Sequence, residues 1–413
     1  MGEWQGKQLE IDVTNVAHGG IAVGRHEGRV VFVGDAIPGE RVVARVSDDS
    51  KAKFWRAETV SVMTPSEHRQ EHIWSAASVD RDPDDRAGGA EFGHIRLEHQ
   101  RELKRQVLAD ALQRMAGIDS DVVVEPIPGR EDGTGWRTRL RMHVAADGTL
   151  GPYAARSHRV VPVTDVPLAA PEVAAITPLD ESFPGSTHVD VVAPSVGNAY
   201  VLAGDANAKS RPKRHTITEQ VGERQFRLDV HGFWQVHRSA AQTLTTAVQD
   251  AIDPDLFDPR AANQDLYGGV GLLAAAVGDR FGNHTRITTV ESDALATDHA
   301  AVNLAEWLGA SAVTSRVDRY LNQLAKARTS LAGATVVLDP PRSGAGKGVV
   351  DSLAALAPSQ LVYVACDPVA LARDLGLLQG HGYELTRLRA FDLFPHTHHV
   401  EAVASLVKTD ATR

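Results

Sequence analysis

Over the first 62 residues, apolar and polar positions alternate in short runs. The stretch "LEIDVTNVAHGGIAVGRHEGRVVFVGDAIPGERVVARVS" is broken by "HGG", "HEG" and "IPGE". A period of two marks half-buried strands, and the glycines and proline mark turns between them. This pattern predicts a compact β-barrel over residues 1–62. A polar, turn-rich stretch, "VDRDPDDRAGGAE", follows. Next, "EFGHIRLEHQRELKRQVLADALQRMAGI" predicts a long helix over about 96–116, ending near Gly117. Short strands return in "VVVEPIP", "RTRLRMHVA", "THVDVVAP", "AYVLAG" and "RQFRLDV". From about residue 233 the pattern changes to helices alternating with fully apolar strands, among them "ITTVES", "ATVVLDPP" and "LVYVACDP". Such strands indicate a parallel sheet covered on both faces. The expectation is an α/β chain in three parts: a barrel at 1–62, a β-rich middle at 63–230 carrying the long helix, and a doubly wound domain at 231–413.

Composition narrows the class. With 43% hydrophobic and 23% charged residues in 413, the chain has material for more than one core. No apolar run is long enough for a bilayer, and "MGEWQGKQLEIDV" lacks a secretory pattern. The expectation is a cytoplasmic protein with no membrane partner, monomeric by default. One cysteine excludes an internal disulfide and any all-cysteine metal or iron–sulfur site. The net charge of -10 argues against a nucleic-acid partner. Local basic patches argue the other way. Arg137, Arg139 and Arg141 alternate along a predicted strand and would share one face. Lys209, Arg211, Lys213 and Arg214 form a second patch.

The C-terminal part carries the chemistry. "NQDLYGGVGLLAAAVG" reads as strand, glycine loop and Ala-rich helix, with Gly268, Gly269 and Gly271 free to turn tightly against a ligand. Glu291 closes the next strand, where an acid accepts both hydroxyls of a ribose. Nicotinamide and S-adenosylmethionine sites both use such an acid. "VVLDPPRSGAG" separates them, because Asp339 followed by two prolines makes a rigid strand-end loop of the kind methyltransferases use to present a nucleobase. Arg342 stands after the prolines, where amine methyltransferases carry an aromatic residue.

Cys366 ends the following strand, at the edge that faces the ligand crevice of a doubly wound sheet. Packing is the ordinary fate of a lone cysteine, but this placement favours a nucleophile. Glu401 follows an irregular loop near the last strand and could equally be a surface residue. The histidines 396, 398 and 399 lack the carboxylate spacing of a metal site, so no metal is expected. A thiolate and a carboxylate beside a methyl donor fit one reaction well. Carbon 5 of uracil is a poor nucleophile until a thiolate adds at carbon 6; a base later removes the carbon 5 proton.

The motifs "FWQVH", "DLYGGVG", "LDPPRSGAG", "YVACDPVALARDL" and "DLFPHTHHVEAV" occur in the order found in RNA uridine-C5 methyltransferases. The chain resembles that family over nearly its whole length. The resemblance implies a C-terminal Rossmann-like class I methyltransferase domain, a TRAM-type RNA-binding barrel and a middle region flanking RNA. It implies Cys366 as nucleophile and Glu401 as base. Donor contacts would come from Gln235, Tyr267, Glu291, Asp318 and Asp339, with Gly269 and Gly271 in the loop. Arg137, Arg139, Arg141 and Arg342 become candidate RNA contacts. Cofactor and partner would be S-adenosylmethionine and tRNA or ribosomal RNA. Some residues depart from the pattern. Gly268 and His398 stand where the family often has cysteine and proline. Asp367 stands for a frequent asparagine. "RAGGAEFGHI" looks like the family's iron–sulfur segment without its cysteines, Ala90 standing at one of them, so no cluster is expected. Three other readings stay open. One is a methyltransferase for another base or a small molecule. Another is a non-catalytic RNA-binding protein. A nicotinamide oxidoreductase is more distant.

Overall fold

The computed structural model describes residues 3–205 and 215–409, so the Lys209–Arg214 patch lies outside the described residues. Strands Gln8–Ala17, Ile21–His26, Arg29–Gly34, Arg41–Asp48 and Phe54–Thr64 close a barrel in which the third strand pairs with the fifth. Alternation does what it predicted: Ile11, Val31, Val42 and Ala57 point inward and are at most 1% exposed.

The barrel is tied to the segment after it by charge. The buried Glu40 carboxylate takes Arg69 at 2.6 and 2.7 Å. Arg86 donates to Asp35 at 2.6 Å and to the carbonyls of Val79 and Arg81. Ala90 is buried with Trp74, Ala87, Trp136 and Val166. Apolar packing and the Arg86 fork thus hold the segment where the resemblance places cluster cysteines.

The middle region is a four-stranded sheet in the order Tyr200–Asp205, Ser186–Val192, Arg139–Val144, Leu150–Gly151, with a separate hairpin Thr216–Val221/Arg224–Asp229. The long helix does not pack on this sheet. It runs Leu97–Ala116 and stops at Gly117, whose φ of 65° suits glycine. Its Leu108, Ala111 and Leu112 bury in the same core as Leu371 and Leu375 of the C-terminal helix Pro368–Gly380. The short strand Val124–Glu125 then joins the edge of the C-terminal sheet beside Tyr383–Phe391. Residues 97–125 are therefore built into the C-terminal body, although the sequence order put them in the middle one.

That body is an eight-stranded sheet in the order Ala310–Thr314, Ile287–Glu291, Asn263–Leu266, Thr335–Leu338, Gln360–Ala365, Glu401–Lys408, Tyr383–Phe391, Val124–Glu125. The first five strands are parallel and Glu401–Lys408 runs against its neighbours. Leu361, Val362, Tyr363 and Val364 are 0% exposed, as consecutive apolar residues must be in a sheet covered on both sides. Among the described residues no helix is long and apolar enough to cross a membrane.

Lys104 of the long helix is 0% exposed in its side chain and meets Asp392 at 2.5 Å and the Phe394 carbonyl at 3.0 Å. Burial lowers the pKa of its ammonium and the Asp392 charge opposes this. A buried pair costs desolvation, but removing one partner costs more, because it strands the other charge. Lys104→Ala should destabilise the protein by roughly 3–5 kcal/mol in a denaturant titration. Lys104→Met with Asp392→Leu should restore most of that loss. A single variant within 1 kcal/mol of wild type would show that the pair does not anchor the helix.

Candidate active site

The parallel strands end on one edge of the sheet, and each end delivers a side chain or loop. Asn263–Leu266 leads into Tyr267–Gly271; Tyr267 has φ 63°, Gly269 φ 55° and Gly271 φ 89°. Gly271 caps the helix Leu272–Phe281. A Cβ on Gly268 would fall 2.4 Å from the buried Asp265 carboxylate, so that position has no room for a side chain. A Cβ on Gly269 would meet nothing within 4 Å, because this turn faces open space. Glu291 is fixed at its strand end: Oε2 accepts from the Gly269 N–H at 3.2 Å and Oε1 from the Asp293 N–H at 2.8 Å. An immobilised carboxylate beside an open glycine turn matches what a ribose diol requires. The residues therefore fit a nucleoside-bearing donor such as S-adenosylmethionine.

The reversed strand supplies the other half. Ala365 pairs with Ala402, and the same register continued by one residue sets Cys366 opposite Glu401. Asp339 follows Leu338 on the adjacent strand. One cavity of about 840 Å³ is lined by Gln235, Tyr267, Gly269, Glu291 and Asp339 on one side and by Arg342, Cys366, Glu401 and Arg137 on the other.

Three of these groups disfavour charge. Burial, then Glu401 and Asp339, push the Cys366 thiol up to about 12. Burial and the neighbouring Asp265 raise Asp339 to about 7. Glu401 is 4% exposed, and burial with the Asp339 charge holds its pKa well above the ordinary carboxylate range. Arg342 opposes the shift at both Cys366 and Glu401. Burial lowers His399 to about 3, so its ring is neutral at pH 7, and its Nε2 lies 3.4 Å from the Arg342 guanidinium.

Not every expected residue joins this cavity. Asp318 pairs with Arg316 at 3.0 Å and lines an adjoining cavity that shares Tyr267 and Ser292 with the first. Gly271 acts through its backbone. The three middle-region arginines do not form an open basic face. Arg139 gives hydrogen bonds to the Gly232 carbonyl at 2.9 Å and to Glu219 at 3.5 Å, and its side chain is 12% exposed. Arg141 is held by both oxygens of Asp190 at 2.7 Å. Arg137 precedes the strand and turns into the cavity. His396 bonds Gln100 at 3.0 Å and the Asp132 carbonyl at 2.8 Å. Among the described residues no group of three or more His, Cys, Asp and Glu is placed to hold a metal.

Phe233, which is 75% exposed, Phe394 and His399 also line the cavity and were not assigned to the site from sequence. Each lay in a quoted motif, Phe233 in "FWQVH" and the other two in "DLFPHTHHVEAV", and His399 had been weighed only as a metal ligand. Asp367 caps the helix Pro368–Gly380 through Oδ1, and its Oδ2 meets Nε2 of His18 in the barrel at 2.8 Å.

Comparison with known proteins agrees with this arrangement. Residues 304–409 match the family model for tRNA (Uracil-5-)-methyltransferase, and residues 3–60 the TRAM domain. The chain is 36% identical to an uncharacterized RNA methyltransferase of Streptomyces avermitilis, covering 97% of this chain and 98% of that one. It is 37% identical to a second such protein, from Streptomyces coelicolor, over 97% and 93%. The chain belongs to the RNA methyltransferase family of these relatives. Its fold is that of Pyrococcus abyssi tRNA (uracil-54, C5)-methyltransferase in complex with S-adenosyl-L-homocysteine, with a TM-score of 0.70, 20% identity, and coverage of 97% and 100%. The barrel of this methyltransferase is thus a TRAM domain, and its C-terminal sheet is a methyltransferase fold.

The single cysteine makes one measurement clean, since peptide mass spectrometry after iodoacetamide treatment reads thiol alkylation at Cys366 alone. The thiolate is the reacting form. With the thiol pushed up to about 12, the labelling rate should rise about tenfold per pH unit from pH 7 to 10 without a plateau. A plateau below pH 9 would mean that the cavity does not suppress the thiolate.

Proposed function

We propose that this enzyme methylates carbon 5 of a uridine in structured RNA through a covalent adduct on Cys366. The reading rests on one observation above the rest: Cys366 and Glu401 face each other across adjacent strands in the cavity that also holds the glycine turn and Glu291. Gln235, Tyr267, Gly269, Glu291 and Asp339 would hold S-adenosylmethionine, with Asp318 beside them. When bound, S-adenosylmethionine supplies the electrophilic methyl group that carbon 5 takes.

The chain's own residues do the rest. Cys366 starts as a thiol and must lose a proton. Asp339, raised to about 7, is the carboxylate beside it that takes this proton, which leaves Glu401 free for the later step. The Cys366 sulfur bonds to carbon 6, and the π electrons of the 5,6 double bond move onto the carbon 4 oxygen. Arg342 in the same cavity favours both the thiolate and the ionised base. After alkylation Glu401 takes the carbon 5 proton, the double bond re-forms, and the carbon–sulfur bond breaks to release the thiolate. The barrel at 1–62 and the middle region would hold the RNA. Flipping the target base costs a few kcal/mol, least in a loop. tRNA is the first RNA to test, because the matched family model and the Pyrococcus protein are both tRNA enzymes.

Incubation with S-adenosylmethionine and total cellular RNA, followed by nucleoside mass spectrometry, should yield 5-methyluridine with wild type and none with Cys366→Ala. Glu401→Gln should add to carbon 6 yet fail to eliminate, leaving a protein–RNA adduct that survives denaturation. A methylated nucleoside that persists in Cys366→Ala would overturn the covalent route.

A further inference from the structure

A second cavity, of about 350 Å³, lies beside the first and shares Arg137 with it. We infer that it receives the base of a nucleotide flanking the target uridine, so that the enzyme reads RNA at two adjoining pockets. The inference rests on the RNA reading above.

Its walls have the chemistry of a base site. Tyr153 and His143 line it as a stacked pair, with ring centroids 3.5 Å apart and planes 7° off parallel. The floor is apolar, from Leu140, Met142 and Val166. One donor and one acceptor complete it. Arg137 sits over the Trp136 ring at 5.1 Å, and among the described residues its buried Nε has no hydrogen-bond partner and no carboxylate lies within ion-pair distance. A buried, under-satisfied guanidinium is costly to keep, and a ligand acceptor would relieve that cost. Arg139 shares the unpartnered buried Nε, but its charge is paired with Glu219, and Arg141 is paired with Asp190, whereas Arg137 has no carboxylate at that range among the described residues. The acceptor is Glu91. Its side chain is 41% exposed and lies 3.7 Å from His398, which lowers its pKa and favours the carboxylate.

These features favour a base over a phosphate. Glu91 would repel a phosphate but accept from an exocyclic amine or ring N–H, while Arg137 donates to a ring nitrogen or carbonyl. A further phosphate-directed cation is missing from the walls, since Arg141 and Arg156, which also line the cavity, are paired with Asp190 and Glu58. Bases stack readily on aromatic rings, and the volume suits one nucleoside. Arg137 would then span the two pockets, touching the target side and the flanking side together.

The test irradiates total cellular RNA with the full-length enzyme under short-wave ultraviolet light, to which all four bases respond, and maps the crosslinks by peptide mass spectrometry. Crosslinks should fall on the peptide holding Tyr153 as well as on the catalytic cavity. Tyr153→Ala should raise KM for RNA about tenfold, with kcat at saturating RNA within twofold and S-adenosylmethionine binding unchanged; Tyr153→Phe should behave as wild type. The wild-type crosslink map decides the matter even where the alanine variant does not fold. Crosslinks confined to other surfaces, or a KM within twofold of wild type, would overturn the pocket while 5-methyluridine formation upheld the catalytic reading. Tyr153 crosslinks without methyl transfer to uridine would uphold the pocket and overturn the catalytic reading.

Discussion

The site depends on one reversed strand. Five parallel strands can present loops at a single edge, but only from their carboxyl ends. Glu401–Lys408 enters the sheet from the opposite direction, and its amino end meets the carboxyl end of Gln360–Ala365. Ladder hydrogen bonds over six residue pairs set that register, from Gln360↔Val407 to Ala365↔Ala402. A slip of one residue would turn Glu401 to the other face, as side chains alternate along a strand. The opposition of Cys366 and Glu401 is thus enforced by a buried backbone ladder rather than by a flexible loop.

Burial then sets the chemistry. A thiol and two carboxylates crowd one cavity: Glu401 and Asp339 both raise the thiol, and Asp339 also raises Glu401. In water these groups would titrate in their ordinary order, with the acids ionised and the thiol near 8.5. Here burial favours the protonated form of both acids and of the thiol. Arg342 offsets part of this from the same cavity.

The rest of the molecule braces that cavity from behind. The long helix buries an ion pair against Asp392, which follows the strand Tyr383–Phe391 beside Glu401–Lys408. His18, in the first turn of the TRAM barrel, bonds Asp367, the residue after Cys366. Asp367 serves two partners with its two oxygens: the helix N-terminus behind Cys366 and the barrel in front of it. An asparagine could accept through only one of them. The departure noted at this position therefore coincides with a contact between the barrel and the catalytic loop.

By itself the sequence determined everything that rests on local pattern. The alternation of residues 1–62 forces a barrel face inward, apolar runs demand a sheet covered on both sides, and Gly117 ends the helix by its conformation alone. Cys366, Glu291 and Asp339 were readable as site residues because each ends an apolar strand, and such ends share an edge. Tertiary structure decided what depends on distant partners. Arg139 and Arg141 read as a basic face, but Glu219 and Asp190, 80 and 49 residues away in sequence, hold their charges. The helix at 97–116 carried no sign of which core it joins, since its apolar stripe fits any apolar surface. Arg137 and the second pocket emerged only when the middle sheet met the catalytic edge. Periodicity records what a segment does with itself and with water; pairing across the chain is settled by packing, which no local window contains.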